Sequence, residues 1–257
     1  LQQYPDTPVF TGGFDKAAFE VATHILVSPG VSLQEASIKK AIFSGAKLVS
    51  DIDLFACATQ QPIVAITGSN GKSTVTTMLG KMASQAGVKT AIGGNLGVPA
   101  LDLLDEVNEL YVLELSSFQL ERTSVLNAKA ATVLNVSEDH LDRYFDITGY
   151  AKEKQKVFNG DGIMVLNDDD DVVKAMAVKD RVIEYFSIQK NTGFHFASFQ
   201  QEQWLMDVDK PLMRRSELAL EGLHNIANAL AALALGKAVG LQMDAMCDAL
   251  RKFKGLS

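Results

Sequence analysis

Cysteine is nearly absent. Cys57 and Cys247 are the only two, far apart and in no metal-ligand spacing. That excludes a disulfide scaffold and a cysteine-built metal centre, and it predicts two packed thiols in a reducing cytosol. Basic charge is also in deficit: 24 Lys+Arg stand against 31 Asp+Glu, for a net charge of -7. No broad basic surface is available to attract nucleic acid or an anionic membrane, so any bound phosphate must be held by a local site. Long apolar runs are missing as well. The longest, around residues 228–241, is broken by Gly236 and Lys237 before membrane-spanning length. No signal peptide precedes the first motif, no segment inserts in a membrane, and the expectation is a soluble cytoplasmic monomer. Neither an internal repeat nor a low-complexity tract is present.

What is present is enough apolar material for a sizeable core: 47% of 257 residues are hydrophobic. The length suits two unequal parts, and Gln60, Gln61 and Pro62 form a plausible linker, dividing 1–60 from 61–257. In the first part, "HILVSPG" (24–30), a helical stretch over 32–47 and "KLVSDI" (47–52) make one βαβ unit. In the second, "IVAIT", "KTAIGG", "LYVLEL" and "AATVLNV" are apolar strands separated by helical or loop sequence. Such strands, buried on both faces, predict a doubly wound, mostly parallel α/β sheet. From residue 161 to 222 the strands shorten and turns intervene, which predicts a small antiparallel section. Two helices close the chain. The acidic run at 167–171 reads as a solvated strand end and turn.

The stretch "PIVAITGSNGKSTVTTML" (62–79) joins a strand, a glycine turn and a helix whose apolar positions Val75, Met78, Leu79, Met82, Ala83 and Ala86 recur at helical spacing. The strict phosphate-loop rule fails, because five residues before Gly71 stands Ile66 rather than glycine. A shorter form remains: Gly68, Ser69, Asn70, Gly71, Lys72, Ser73 and Thr74. Its chemistry survives. Backbone N–H groups at a helix N-terminus face an anion, Lys72 adds a point charge, and the Ser73 or Thr74 hydroxyl can reach Mg²⁺. A nucleoside triphosphate is the natural occupant.

Glu114 ends one apolar strand, and Asp139 and His140 lie just beyond another, at the sheet edge where open α/β folds bind ligands. A carboxylate suits Mg²⁺; the residue pattern leaves His140 open between a loop imidazole and a general base. Lys152 and Lys156 read as a solvated helix face, but Lys154 falls on the apolar stripe with Tyr150, Val157 and Phe158. A buried ammonium needs a partner or must lose its charge. One route is uptake of CO2 by the neutral amine to give a carbamate, an anionic oxygen ligand.

Five motifs in order, "TGSNGKSTVTT", "GGNLGVP", "ELSSFQLE", "NVSEDHLDRY" and "LEGLHNIANALAALAL", together resemble the Mur ligases of peptidoglycan synthesis over nearly the whole chain. "ELSSFQLE" favours the D-glutamate-adding branch over other Mur ligases and over the related folylpolyglutamate synthases. The resemblance implies a P-loop ATP-binding domain at 61–257, preceded at 1–60 by part of a Rossmann-like domain for the UDP-substrate. It implies an ATP-dependent amide ligase that activates the carboxylate of UDP-N-acetylmuramoyl-L-alanine as an acyl phosphate and adds D-glutamate. Lys72 would steady the transferring phosphate; Ser73 and Glu114 would hold one Mg²⁺, and His140 with carbamylated Lys154 a second. Gly68 to Thr74 would hold the triphosphate, and Asn225 and Asn228 would flank the adenine. Asn95, Ser116 and Gln119 would touch the muramoyl substrate, and Ser28, Pro29 and Gly30 its uridine diphosphate end. The first residues lack the opening strand and glycine turn of the family, and the chain stops before its C-terminal domain. The expectation is therefore a fragment that binds ATP and Mg²⁺ weakly and does not ligate. Two rivals remain: a phosphotransferase needing no amino acid, and a nucleotide-dependent switch needing no substrate residues.

Overall fold

The computed structural model describes residues 5–137 and 146–256. The chain divides into two compact units, Leu1–Ser50 and Asp51–Ser257.

In the first unit α1 (Lys16–Val21) precedes β1 (His24–Leu26), α2 (Ala36–Phe43) and β2 (Lys47–Val49). The two strands pair in parallel with Ile25 beside Leu48, so the expected βαβ unit is there. Its small core is Ile25, Val27, Ile38, Ala41 and Ala46. The strand expected over 47–52 is shorter. Asp51 opens a helix, α3 (Asp51–Ala58), which belongs to the second unit. Asp51 and Asp53 in its first turn complement the positive end of the helix dipole. Its Phe55 meets Tyr111 edge to face at 5.0 Å, and the Asp53 carboxylate accepts from the N–H groups of Ser124 and Val125. These bonds fix α3 to the larger unit, although the sequence reading grouped residues 51–60 with the smaller one.

In chain order the rest of the second unit runs β3 (Ile63–Thr67), α4 (Lys72–Gln85), β4 (Thr90–Gly94), β5 (Leu110–Glu114), α5 (Ser117–Leu120), β6 (Ala130–Val133) and α6 (Ile147–Gln155). Then follow β7 (Ile163–Asn167), α7 (Asp171–Lys174), β8 (Ile183–Ser187), β9 (Phe194–Phe199), β10 (Glu202–Asp207), β11 (Lys210–Arg214), α8 (Leu223–Ala238) and α9 (Met243–Lys252). Among the described residues these strands form one sheet in the order β11-β10-β9-β8-β7-β6-β3-β5-β4. β3 and β5 are buried along their whole length, as strands covered on both faces must be. Val75, Met78, Leu79 and Met82 of α4 pack on one face with α8 and α9. Tyr150 and Ala151 of α6, with Phe55 of α3 and Leu120 of α5, cover the other.

The antiparallel section is smaller than the strand lengths suggest. β7 pairs in parallel with β6, β8 with β7, and β9 with β8; among the described residues only β9-β10-β11 runs antiparallel. The crossover between β7 and β8 carries only the four-residue helix α7, too short to announce itself by helical periodicity. Cys247 is packed in the core, whereas Cys57 is exposed near the end of α3, so one of the two thiols is not packed as expected. Among the described residues no helix is long and apolar enough to cross a membrane.

Candidate nucleotide site

From β3 the chain crosses through α4 towards β5 and β4, while β6 lies on the other side of β3. Ligands of open α/β sheets bind at such a switch, outside the carboxyl ends of the strands. The glycine turn occupies that position, between Thr67 and the first residue of α4. Gly71 is the N-cap of α4 with φ +85°, a conformation glycine adopts without penalty. A Cβ there would lie 2.5 Å from Asn228 Oδ1, so the α8 side chain closes directly over the turn. The first N–H groups of α4 have no intrahelical acceptor and carry the positive end of its dipole.

Two lysines brace the turn from opposite layers. Lys72 folds back so that its ammonium donates to the carbonyls of Gly68 and Ser69, both at 3.0 Å. Lys154, 1% exposed on α6, donates to the Gly68 carbonyl at 2.9 Å and sits over the Tyr150 ring, 4.4 Å from its centroid. The apolar stripe thus does bury Lys154, and it delivers the amine to the glycine turn.

Glu114, at the end of β5, is 2% exposed. Its Oε2 accepts from the Ser73 hydroxyl at 2.8 Å and its Oε1 from Asn95 Nδ2 at 2.9 Å. Asn95 reaches it because β4 ends in Gly94 with φ +98°, where a Cβ would lie 2.4 Å from the Glu114 carbonyl oxygen. A buried carboxylate with neutral hydrogen-bond partners, beside a hydroxyl, has the donor chemistry of a hard divalent cation. Among the described residues no group of three His, Cys, Asp or Glu could hold a metal. His140 lies outside the described residues.

Ser116 and Gln119 engage each other. Ser116 Oγ accepts from the Gln119 N–H, and Gln119 Oε1 accepts from the Ser116 N–H and hydroxyl, a reciprocal cap on α5. Ser28, Pro29 and Gly30 form the turn after β1 in the first unit, where the Val31 N–H donates to the Ser28 carbonyl. Asn225 Nδ2 donates to the Glu221 carbonyl at the start of α8.

A cleft of about 500 Å³ gathers Asn70, Gly71, Thr74, Asn225 and Asn228. It also gathers Asn135, Asn167, Phe186 and His224, which the sequence reading did not single out. For Asn135 and His224 a signal existed, since both lie within quoted motifs. Asn167 and Phe186 reach the cleft only because β7 and β8 extend the parallel sheet.

The acidic run at its rim is a bonded network rather than a solvated turn. Asp170 caps α7 and accepts from the Val136 N–H; Asp169 accepts from the Ser187 hydroxyl and the Ile188 N–H. Asp168 faces Lys174, Lys190 and Thr192. Burial pushes its pKa up, but the bonds from Lys174 and Thr192 and the charges of Lys190 and Lys174 outweigh it and leave the carboxyl below the usual range.

Residues 66–236 match the Mur ligase middle domain. UDP-N-acetylmuramoylalanine--D-glutamate ligase of Methylococcus capsulatus is 49% identical over 99% of this chain and 56% of its own length. The protein of the same name from Marinobacter nauticus is 48% identical over 98% of the chain and 57% of its own length. The chain thus spans somewhat more than half the length of the curated relatives it matches. Among solved structures, the UDP-N-acetylmuramate:L-alanyl-gamma-D-glutamyl-meso-diaminopimelate ligase from Neisseria meningitides superposes with a TM-score of 0.69 at 19% identity, over 95% of this chain and 83% of its own. One of MurF from Acinetobacter baumannii gives 0.67 at 21% identity, over 95% and 62%. At that identity the likeness concerns the fold. With the middle-domain match covering most of the sequence, the chain belongs to the Mur ligase family.

Proposed function

We propose that the chain carries the ATP-binding part of an ATP-dependent amide ligase that joins D-glutamate to UDP-N-acetylmuramoyl-L-alanine. The observation that carries this reading is the meeting of Ser73, Glu114 and Asn95 beside a helix N-terminus already furnished with Lys72 and Lys154. The residues fit ATP and Mg²⁺: a glycine cradle that a Cβ would fill, first-turn amides with no intrahelical acceptor, and a buried carboxylate next to a hydroxyl. When bound, the magnesium nucleotide supplies the phosphoryl group that turns a carboxylate into an acyl phosphate open to attack by an amine.

The chain's own part is placement and charge. Gly71 to Thr74 would hold the phosphates through backbone amides, and the Lys72 ammonium, now on the Gly68 and Ser69 carbonyls, would supply positive charge to them. Ser73 and Glu114 hold the cation, with Asn95 orienting the carboxylate. Lys154, as a carbamate, and His140 are the ligands proposed for a second cation. Asn225 and Asn228 close the adenine end of the cleft. Ser116 and Gln119 face the muramoyl substrate only after their mutual cap opens, and the first unit takes the uridine diphosphate end through Ser28, Pro29 and Gly30. A cytoplasmic setting, where ATP and reduced thiols coexist, suits all of this.

The test is ADP and phosphate release with UDP-N-acetylmuramoyl-L-alanine and a panel of amino acids, using a protein of the relatives' full length that contains this chain. Release that depends on D-glutamate supports the reading. Release stimulated only by L-lysine or diaminopimelate would overturn the D-glutamate assignment, and release with no amino acid and a stable phosphorylated product would favour a phosphotransferase.

A further inference from the structure

The glycine turn is short, and the end of β6 makes up for its missing length. The Ser69 N–H donates to the Asn135 carbonyl at 3.0 Å. The Ser69 hydroxyl donates to the Ser137 carbonyl and accepts from the Ser137 N–H. The Asn135 side chain then takes both polar groups of Asn70: its Oδ1 accepts from the Asn70 N–H at 2.8 Å, and its Nδ2 donates to the Asn70 carbonyl at 3.1 Å.

That last bond has a directional consequence. The Asn70 carbonyl and the Gly71 N–H belong to one planar trans peptide and point in opposite directions. Anchoring the carbonyl towards Asn135 therefore fixes where the Gly71 N–H points. The plane would otherwise turn easily, because the residue after it is a glycine, free to change the sign of φ. A flipped plane would replace an N–H donor at the mouth of α4 by a carbonyl oxygen, which repels an anion.

We propose that Asn135 is a positioning residue: its carboxamide locks the Asn70–Gly71 peptide plane so that the Gly71 amide is presented to a nucleotide's phosphates. The inference rests on the nucleotide reading of this cleft. Asn135 is partly exposed and Asn70 exposed, so the bond serves orientation more than core stability.

The experiment titrates the 257-residue chain with Mg·ATP and with adenosine, for the parent and for Asn135→Ala and Asn135→Ser, neither of which can span both groups of Asn70. It also follows the Gly71 amide by ¹⁵N NMR without nucleotide. The expected result is about tenfold weaker ATP binding, the scale of one or two lost hydrogen bonds, with adenosine affinity unchanged and the Gly71 amide signal broadened or doubled. Equal losses for ATP and adenosine, or undiminished ATP affinity in both variants, would overturn the positioning role while leaving the nucleotide reading intact. A parent chain that binds no ATP would overturn both. If Asn135→Ala fails to fold, Asn135→Ser decides.

Discussion

Lys72 and Lys154 share one acceptor, the carbonyl oxygen of Gly68, at 3.0 and 2.9 Å. Their ammonium groups can lie no farther apart than the sum of those distances, so two like charges converge on a single peptide group, one of them almost fully buried. An anion bound at the turn would be attracted by both. Conversion of Lys154 to a carbamate would replace a positive by a negative group and turn repulsion into attraction. The chain incubated with ¹³C-bicarbonate should show a carbamate carbonyl resonance that is absent from Lys154→Arg. In a protein of the relatives' full length that contains this chain, Lys154→Met should lower phosphate release at least tenfold, about 1.4 kcal/mol or more in barrier height. A variant with parental activity would remove Lys154 from the chemistry.

The sheet from β3 to β6 was legible because β3, β5 and β6 are short apolar runs buried along their whole length and the edge strand β4 lies between clear helix and turn signals, and the glycine turn because strand, turn and helix signals coincide there. The helix α3 was not legible. Its acidic first turn resembles a loop, and only the packing of Phe55 on Tyr111 and the capture of Asp53 show why it is helical. The motif "NVSEDHLDRY" marks Asn135, but its bonding was not legible: its partner Asn70 is remote in sequence, and no local spacing encodes a bond from side chain to distant backbone. The carboxylates of 168–170 misled because a run of like charge ordinarily stays solvated. Here separate donors, from Lys174, Ser187 and the Val136 amide, absorb each one.

Glu114 joins the loop helix to β4 through Ser73 and Asn95. Glu114→Gln preserves the shape and at least one of those bonds while removing the negative charge. The gain in ATP affinity on adding Mg²⁺ should therefore disappear, whereas affinity for ATP without metal should stay within about threefold of the parent, since the change costs at most roughly one hydrogen bond. Calorimetric titration with and without Mg²⁺ measures both. A variant that still responds to Mg²⁺ like the parent would mean the cation is held elsewhere.

Asp168 links acid stability to the rim of the cleft. Its folded-state pKa lies below the ordinary carboxylate value, so the folded state binds its proton less readily than the unfolded chain does. The stabilisation is complete above the unfolded pKa of about 3.9 and is lost as pH falls from there through the folded pKa. The urea midpoint of the parent should exceed that of Asp168→Asn by a constant margin from pH 7 to about 5, and the margin should shrink below about pH 4. Lys174 and Lys190 are each close to half exposed, so added salt should narrow it as well. A margin that does not change with pH would assign the effect to packing.

The two thiols should separate by chemistry as well as by place. Cys247 is buried on α9, and burial, as the largest influence, pushes its pKa up to about 11 despite the nearby charge of Arg251. Since the thiolate is the reactive form, only a minute fraction is competent at neutral pH, and a reagent must also wait for the core to open. Cys57 is exposed near the end of α3. A colorimetric thiol assay at pH 7.5 should therefore count one fast group in the native chain and two in urea. Cys57→Ser should abolish the fast phase, whereas Cys247→Ser should leave it unchanged. Because α9 packs directly on α4, the slow rate at Cys247 should fall further when ATP occupies the loop that begins α4. A slow phase indifferent to nucleotide would separate the opening of α9 from the state of the loop.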